Sequence, residues 1–110
     1  MAKIKYSHAA IEDLEQIGDY IATGLRNPIA ALKTVNRIED TVDKLADAPH
    51  IGTPLSARYE HVGDYRYLVC RDYLVFYHEE SYEVHIDRIL HGKRDYIAIL
   101  FGELPEEEIE

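Results

Sequence analysis

Between Tyr65 and Tyr96 the chain reads YRYLVCRDYLVFYHEESYEVHIDRILHGKRDY, apolar and aromatic runs broken by two short polar turns. That pattern predicts three consecutive antiparallel strands, Tyr65–Cys70, Tyr73–His78 and Tyr82–Leu90, joined by Arg71-Asp72 and Glu79-Glu80-Ser81. Three strands meeting in hairpins need an apolar layer over at least one face. The residues before them supply it.

Ala10, Leu14, Ile17 and Ile21 recur at spacings of four, three and four, one stripe of an α-helix, with Asp13 and its polar neighbours mostly off that stripe. Ser7 is placed to cap the first turn, and Gly24 reads as a stop. Asn27-Pro28 opens a second helix, with asparagine as cap and proline where its missing N–H costs nothing. Ala31, Val35, Ile38, Val42 and Leu45 continue its stripe until Ala48-Pro49 ends it. Lys3–Tyr6 reads as an opening strand, Leu55–Tyr59 as a short extended piece, and Ile97–Phe101 as a terminal helix turn or an added edge strand. The order β-α-α-β-β-β gives an α+β fold, a mainly antiparallel sheet with an αα-hairpin on one face and the other face partly open.

The 110 residues suffice for one domain, assigned to residues 1–102, with an acidic tail over 103–110. Five of the 21 acidic residues lie in that tail, so residues 1–102 carry twelve bases against sixteen acids and the whole chain a net charge of −9. That balance argues against a general nucleic-acid binder and leaves room only for a local site. No apolar run is long enough to span a bilayer, and no secretory leader is evident, so the expected compartment is the cytoplasm. The single cysteine, Cys70, falls inside a strand run and reads as a buried filler. His8, His50, His61, His78 and His85 are scattered, and no pair has metal-ligand spacing on a helix face, so neither metal nor cofactor is expected.

Positive charge concentrates where the last strand ends, at Arg88, His91, Lys93, Arg94 and Tyr96. Strict alternation puts Arg88 in the apolar row of Tyr82, Val84, Ile86 and Leu90, where an unpaired guanidinium is costly. It therefore needs either a bulge near Asp87 or an acidic partner such as Asp95, and both Arg88 and Asp95 read as structural or target-binding. His91, Lys93 and Arg94 follow the apolar run on a turn whose backbone freedom comes from Gly92.

Several stretches together resemble the RelE/ParE superfamily of type II toxins, and its ParE branch in particular. They are YSxxAxxDL from Tyr6 to Leu14, NPxAA from Asn27 to Ala31, LxxxPxxG from Leu45 to Gly52, YRxLV from Tyr65 to Val69, YLVFY from Tyr73 to Tyr77, and RILHGKRD from Arg88 to Asp95. The resemblance implies a cofactor-free toxin held inactive by a cognate antitoxin and inhibiting DNA gyrase by binding, with no catalytic residue and no direct DNA binding of its own. His91, Lys93, Arg94 and Tyr96 are then the target-binding candidates, with Arg66, Arg88 and Asp95 structural or target-binding. Its other branch implies a ribosome-dependent mRNA endonuclease, for which Arg66, Arg88, His91, Arg94 and Tyr96 would be the catalytic set. A degenerate, non-toxic antitoxin-binding member is the third reading. A ribonuclease must activate a 2′-hydroxyl, stabilise a phosphorane-like transition state and protonate the leaving oxygen. Those residue types are present, but the broad basic surface of such ribonucleases is not.

Overall fold

The computed structural model describes residues 1–57 and 64–101, with the side chains of Ala57, Tyr96, Ile97 and Phe101 left aside. The acidic tail and His61 lie outside the described residues. Strand β1 (Lys3–Tyr6) leads into α1 (His8–Asp19), a π-helical segment (Tyr20–Gly24) and α2 (Pro28–Asp43), which closes in a 3-10 turn (Lys44–Ala46). The short β2 (Thr53–Pro54), a 3-10 turn (Leu55–Ala57), β3 (Arg66–Cys70), β4 (Tyr73–Glu80), β5 (Glu83–His91) and α3 (Tyr96–Phe101) follow. The sheet order is β1-β5-β4-β3-β2, antiparallel throughout except for β1 alongside β5. The expected α+β architecture is therefore present.

Both helix starts form as their sequences predict. The Ser7 hydroxyl accepts from Ala10 N–H at 2.9 Å, and Asn27 Oδ1 accepts from Ala30 N–H at 3.1 Å. At the other end of the first helical run, Gly24 is not the left-handed residue: Arg26 is, at φ 54°, with Asn27 N–H donating six residues back to Ile21 O. Of the Leu55–Tyr59 piece expected to be extended, Leu55–Ala57 form a 3-10 turn and the rest lies outside the described residues, while Thr53-Pro54 pairs with β3.

Ala10, Ile38, Val42 and Leu45 from the helical hairpin pack on Val75, Tyr77, Val84 and Ile86, all fully buried. The opposite sheet face is less open than expected. There Leu55, Phe76 and Leu90 form a second cluster, covered by Ile99 and Leu100 of α3. Ile97–Phe101 thus takes the helical alternative, because a turn of helix can lay Ile99 and Leu100 onto that face. Cys70 is buried, as expected of a filler, with Thr41 Oγ1 3.4 Å from its sulfur.

The second hairpin departs from its expected register. Glu79 and Glu80 stay in β4, opposite Val84 and Glu83, and the turn is the two-residue Ser81-Tyr82. Both turn residues have positive φ, 51° and 64°, the geometry that matches the twist of the flanking strands. At the end of β4 both acidic side chains stay exposed, one on each face, so polarity alone misplaced the turn.

A bulge lies farther along. Tyr77 faces Ile86 and Phe76 faces Arg88, so Asp87 is an extra residue on β5. It reverses the side-chain phase: Val84, Ile86 and Ile89 join the helix-side core, and Leu90 joins the opposite cluster. Arg88 therefore leaves the apolar row that strict alternation assigned to it.

Candidate cationic groove at the strand end

β1 stops at Tyr6, opposite Ile86, while β5 runs on to His91. From there α1 takes over the role of a neighbouring strand. Ser7 N–H donates to Ile86 O at 2.9 Å, Ser7 Oγ donates to Asp87 O at 2.8 Å, and Ile89 N–H donates to Asp13 Oδ2 at 2.9 Å. Asp13 is the one buried charged side chain among the described residues, at 6 % exposure. It also takes Arg88 Nε at 2.7 Å and Nη2 at 2.8 Å, a two-pronged carboxylate–guanidinium pair. This bond to Asp13 foremost holds the Arg88 guanidinium above its ordinary range, against the opposing effect of burial.

Arg88's partner is therefore Asp13, not Asp95. Asp95 begins α3 instead: its Oδ1 accepts from Ala98 N–H at 3.4 Å and its carbonyl from Ile99 N–H at 3.2 Å. Arg66 is also committed, donating through Nη1 to Gly52 O at 2.9 Å and His50 O at 3.3 Å. Its strand position faces Tyr77, whereas His91 faces Tyr73 four residues away, a separation of roughly 13 Å along the sheet at ~3.3 Å per residue. Of the residues considered for RNA cleavage, the four with described side chains, Arg66, Arg88, His91 and Arg94, are thus not gathered into one site. Arg66 stands apart, and Arg88 is neutralised.

The remaining basic groups do converge. His91 packs edge-on against Tyr73 at 5.6 Å, and its Nδ1 accepts from Lys93 N–H at 3.2 Å, which leaves Nε2 to carry the proton of the neutral ring. Gly92 N–H donates to Asp72 O at 2.8 Å, and Arg94 N–H to His91 O at 3.0 Å, so the segment is pinned to the β3–β4 turn and closed back on the end of β5. Lys93 and Arg94 are exposed. The Tyr96 backbone opens α3 immediately beyond.

This turn borders a groove of about 730 Å³ running to the far end of the first helical run, with Tyr20, Leu25, Tyr73, Ile89, His91 and Arg94 in its wall. Burial foremost, then the Asp72 and Tyr20 charges, holds the Tyr73 phenol above its ordinary range. A smaller cleft alongside shares Asp72 and Tyr73 and adds Arg37 and Arg71. Those two arginines were not among the sequence candidates, where Arg71 read only as a turn residue. The β3–β4 turn places Arg71 at the same end as His91, and the packing of α2 on the sheet brings Arg37 beside it. The groove can hold an anionic or aromatic surface against cations and tyrosine faces; it presents no base–nucleophile pair.

The pattern of the ParE toxins of type II toxin-antitoxin systems, parDE, matches residues 4–96. The chain belongs to the ParE toxin family. Among solved structures, a chain of the chromosomal ParDE toxin-antitoxin system from P. aeruginosa superposes with a TM-score of 0.70 at 26% identity, over 83% of this chain and 96% of that one. No curated protein matches. The ParE-type toxin expected from YRxLV, YLVFY and RILHGKRD is thus the family to which the residues lead. Among the described residues no helix is long and apolar enough to cross a membrane.

Proposed function

We propose that this ParE-type toxin inhibits DNA gyrase by binding, without chemistry of its own, and that a cognate antitoxin neutralises it. The observation that carries the reading is the commitment of its charged residues within a ParE-family chain. Arg88 is spent on Asp13 and Arg66 on two carbonyls, while His91, Lys93 and Arg94 stand together on one pinned turn beside a tyrosine-lined groove. A ribonuclease would need its cations and proton carriers within reach of one phosphate; a binding surface needs only complementary charge and shape. His91, Lys93, Arg94 and Tyr96 are the proposed target contacts, and Arg66, Arg88 and Asp95 hold the scaffold that presents them.

The antitoxin has a natural landing place on the helical hairpin. Tyr20, Leu25, Ile29 and Leu32 are more than half exposed around its tip, and Ile11 lies beside a groove of about 770 Å³ between α1 and α2. An amphipathic segment that folds as it docks can cover such a surface.

Induced expression separates the targets. Inhibited gyrase gives filamentous cells with DNA-damage signalling, and co-expressed antitoxin restores growth. Prompt arrest of translation without that signalling would transfer the toxin to the ribosome, and normal growth would make it an inactive antitoxin-binding member.

A further inference from the structure

The histidines that look scattered in the sequence are not scattered in the fold. The two-residue Ser81-Tyr82 turn sets His78 of β4 directly opposite His85 of β5, with their rings stacked at 5.0 Å and 12°. Alternation puts both on the sheet face away from the helical hairpin, and Glu80 lies on that face two residues after His78. Glu80 Oε2 is 3.6 Å from His78 Nε2 and 3.9 Å from His85 Nε2. One donor atom from each of the three residues falls within 4.8 Å of both others.

His78 is also oriented from behind. Its Nδ1 bonds Asp87 Oδ2 at 2.7 Å, and Asp87 is the bulge residue whose carbonyl is anchored by Ser7 Oγ. A neutral His78 that donates through Nδ1 turns its Nε2 lone pair toward the Glu80 carboxylate, an electron-rich pairing that a cation relieves. A carboxylate on the far nitrogen of a histidine is the usual support of a metal-ligating imidazole. We propose that His78, Glu80 and His85 form a surface site for a divalent transition ion, with Zn²⁺ the best fit and Asp87 the positioning residue.

The donor chemistry selects the ion. Two imidazoles and one carboxylate suit Zn²⁺, Co²⁺ or Ni²⁺, whereas Mg²⁺ and Ca²⁺ prefer oxygen cages. Donors around tetrahedral zinc stand about 3.3 Å apart, given bonds of about 2.0–2.1 Å. Separations of up to 4.8 Å must close by about 1.5 Å and the two near-parallel rings must tilt toward a common point, a change that the largely exposed Glu80 side chain can follow. Glu83 is 3.3 Å from His85, but its other oxygen is held by Lys5 at 3.3 Å, so it is left out of the ligand set and water completes the shell. The ion would clamp β4 to β5 on the face away from the helical hairpin, independently of the toxin's target.

The test is calorimetric titration of the full chain, freed of any histidine tag, with ZnCl₂ near neutral pH, repeated with CoCl₂ read by its visible absorption. One ion per chain is expected, with binding lost in Glu80→Gln and in His85→Gln. Asp87→Asn should keep the stoichiometry and the cobalt spectrum but weaken affinity by roughly 10–100-fold. Circular dichroism of the metal-free variants controls for folding, and Glu80→Gln, on an exposed side chain, stays informative if His85→Gln does not fold. Absence of saturable binding to the wild type, or equal affinity in Glu80→Gln, overturns the site, and unchanged affinity in Asp87→Asn removes Asp87 from it.

Discussion

Asp13 takes Arg88 through two parallel hydrogen bonds, 2.7 and 2.8 Å, and with the same carboxylate accepts the Ile89 N–H. One helix side chain thereby closes the strand edge that β1 leaves unpaired and neutralises the arginine nearest the cationic turn. The charge offered to a partner at this turn is consequently that of Lys93 and Arg94, with the His91 ring beside them.

Removing one member of this pair strands the other. Asp13→Leu leaves the Ile89 N–H and the Arg88 guanidinium without their acceptor. A buried ion pair broken on one side costs about 3–5 kcal/mol; because the Arg88 side chain is 26 % exposed, water recovers part of that and about 2–3 kcal/mol is expected. Urea unfolding should show the loss as a lower midpoint at unchanged slope. Adding Arg88→Met to Asp13→Leu should restore some of it, and strictly additive losses would contradict the pairing.

Ser7 has two tasks, capping α1 at Ala10 and holding the bulge at Asp87 O. Ser7→Ala should destabilise by about 1–2 kcal/mol, the upper half of the range for a lost cap. Ser7→Gly should cost nearly as much here, because the hydroxyl bond to the bulge is lost either way. A glycine variant as stable as the wild type would show that the bulge bond contributes nothing.

Alkaline stability follows from Tyr6. Burial foremost, then Glu39 and Asp43, pushes its phenol up from 10.0 to about 12. Between those values the unfolded chain has released a proton that the folded chain keeps. The Tyr6 contribution is therefore complete below pH 10 and is lost as pH rises toward 12. Burial raises Tyr65, Tyr73 and Tyr77 in the same direction. Unfolding midpoints measured across this window should fall with pH, less steeply in Tyr6→Phe. Equal slopes would place Tyr6 in water.

What could be read from the residues was local. Ser7 and Asn27-Pro28 are written next to the helices they cap, and the stripes through Ile38 and Val42 name their own core. The strand runs also gave the fold, since three adjacent apolar runs can pair in few ways. What escaped was whatever depends on register or distance. Asp13 sits off its helix stripe and looked like surface, because its partner is 75 residues away. Asp95 looked like that partner only because it was near in sequence. The bulge at Asp87, one of the two alternatives that the phase of Arg88 demanded, reversed everything after it, and a displaced two-residue turn brought His78 and His85 together unseen. Arg37 and Arg71 likewise meet at the cleft beside the groove only through tertiary packing.

The central claim is best tested with purified toxin in a gyrase supercoiling assay on relaxed plasmid. The wild type should inhibit supercoiling, and His91→Ala and Arg94→Ala should each weaken inhibition by roughly tenfold, the effect of removing a charged contact worth more than about 1 kcal/mol. Supercoiling left unchanged at stoichiometric excess of the wild-type toxin would contradict the account.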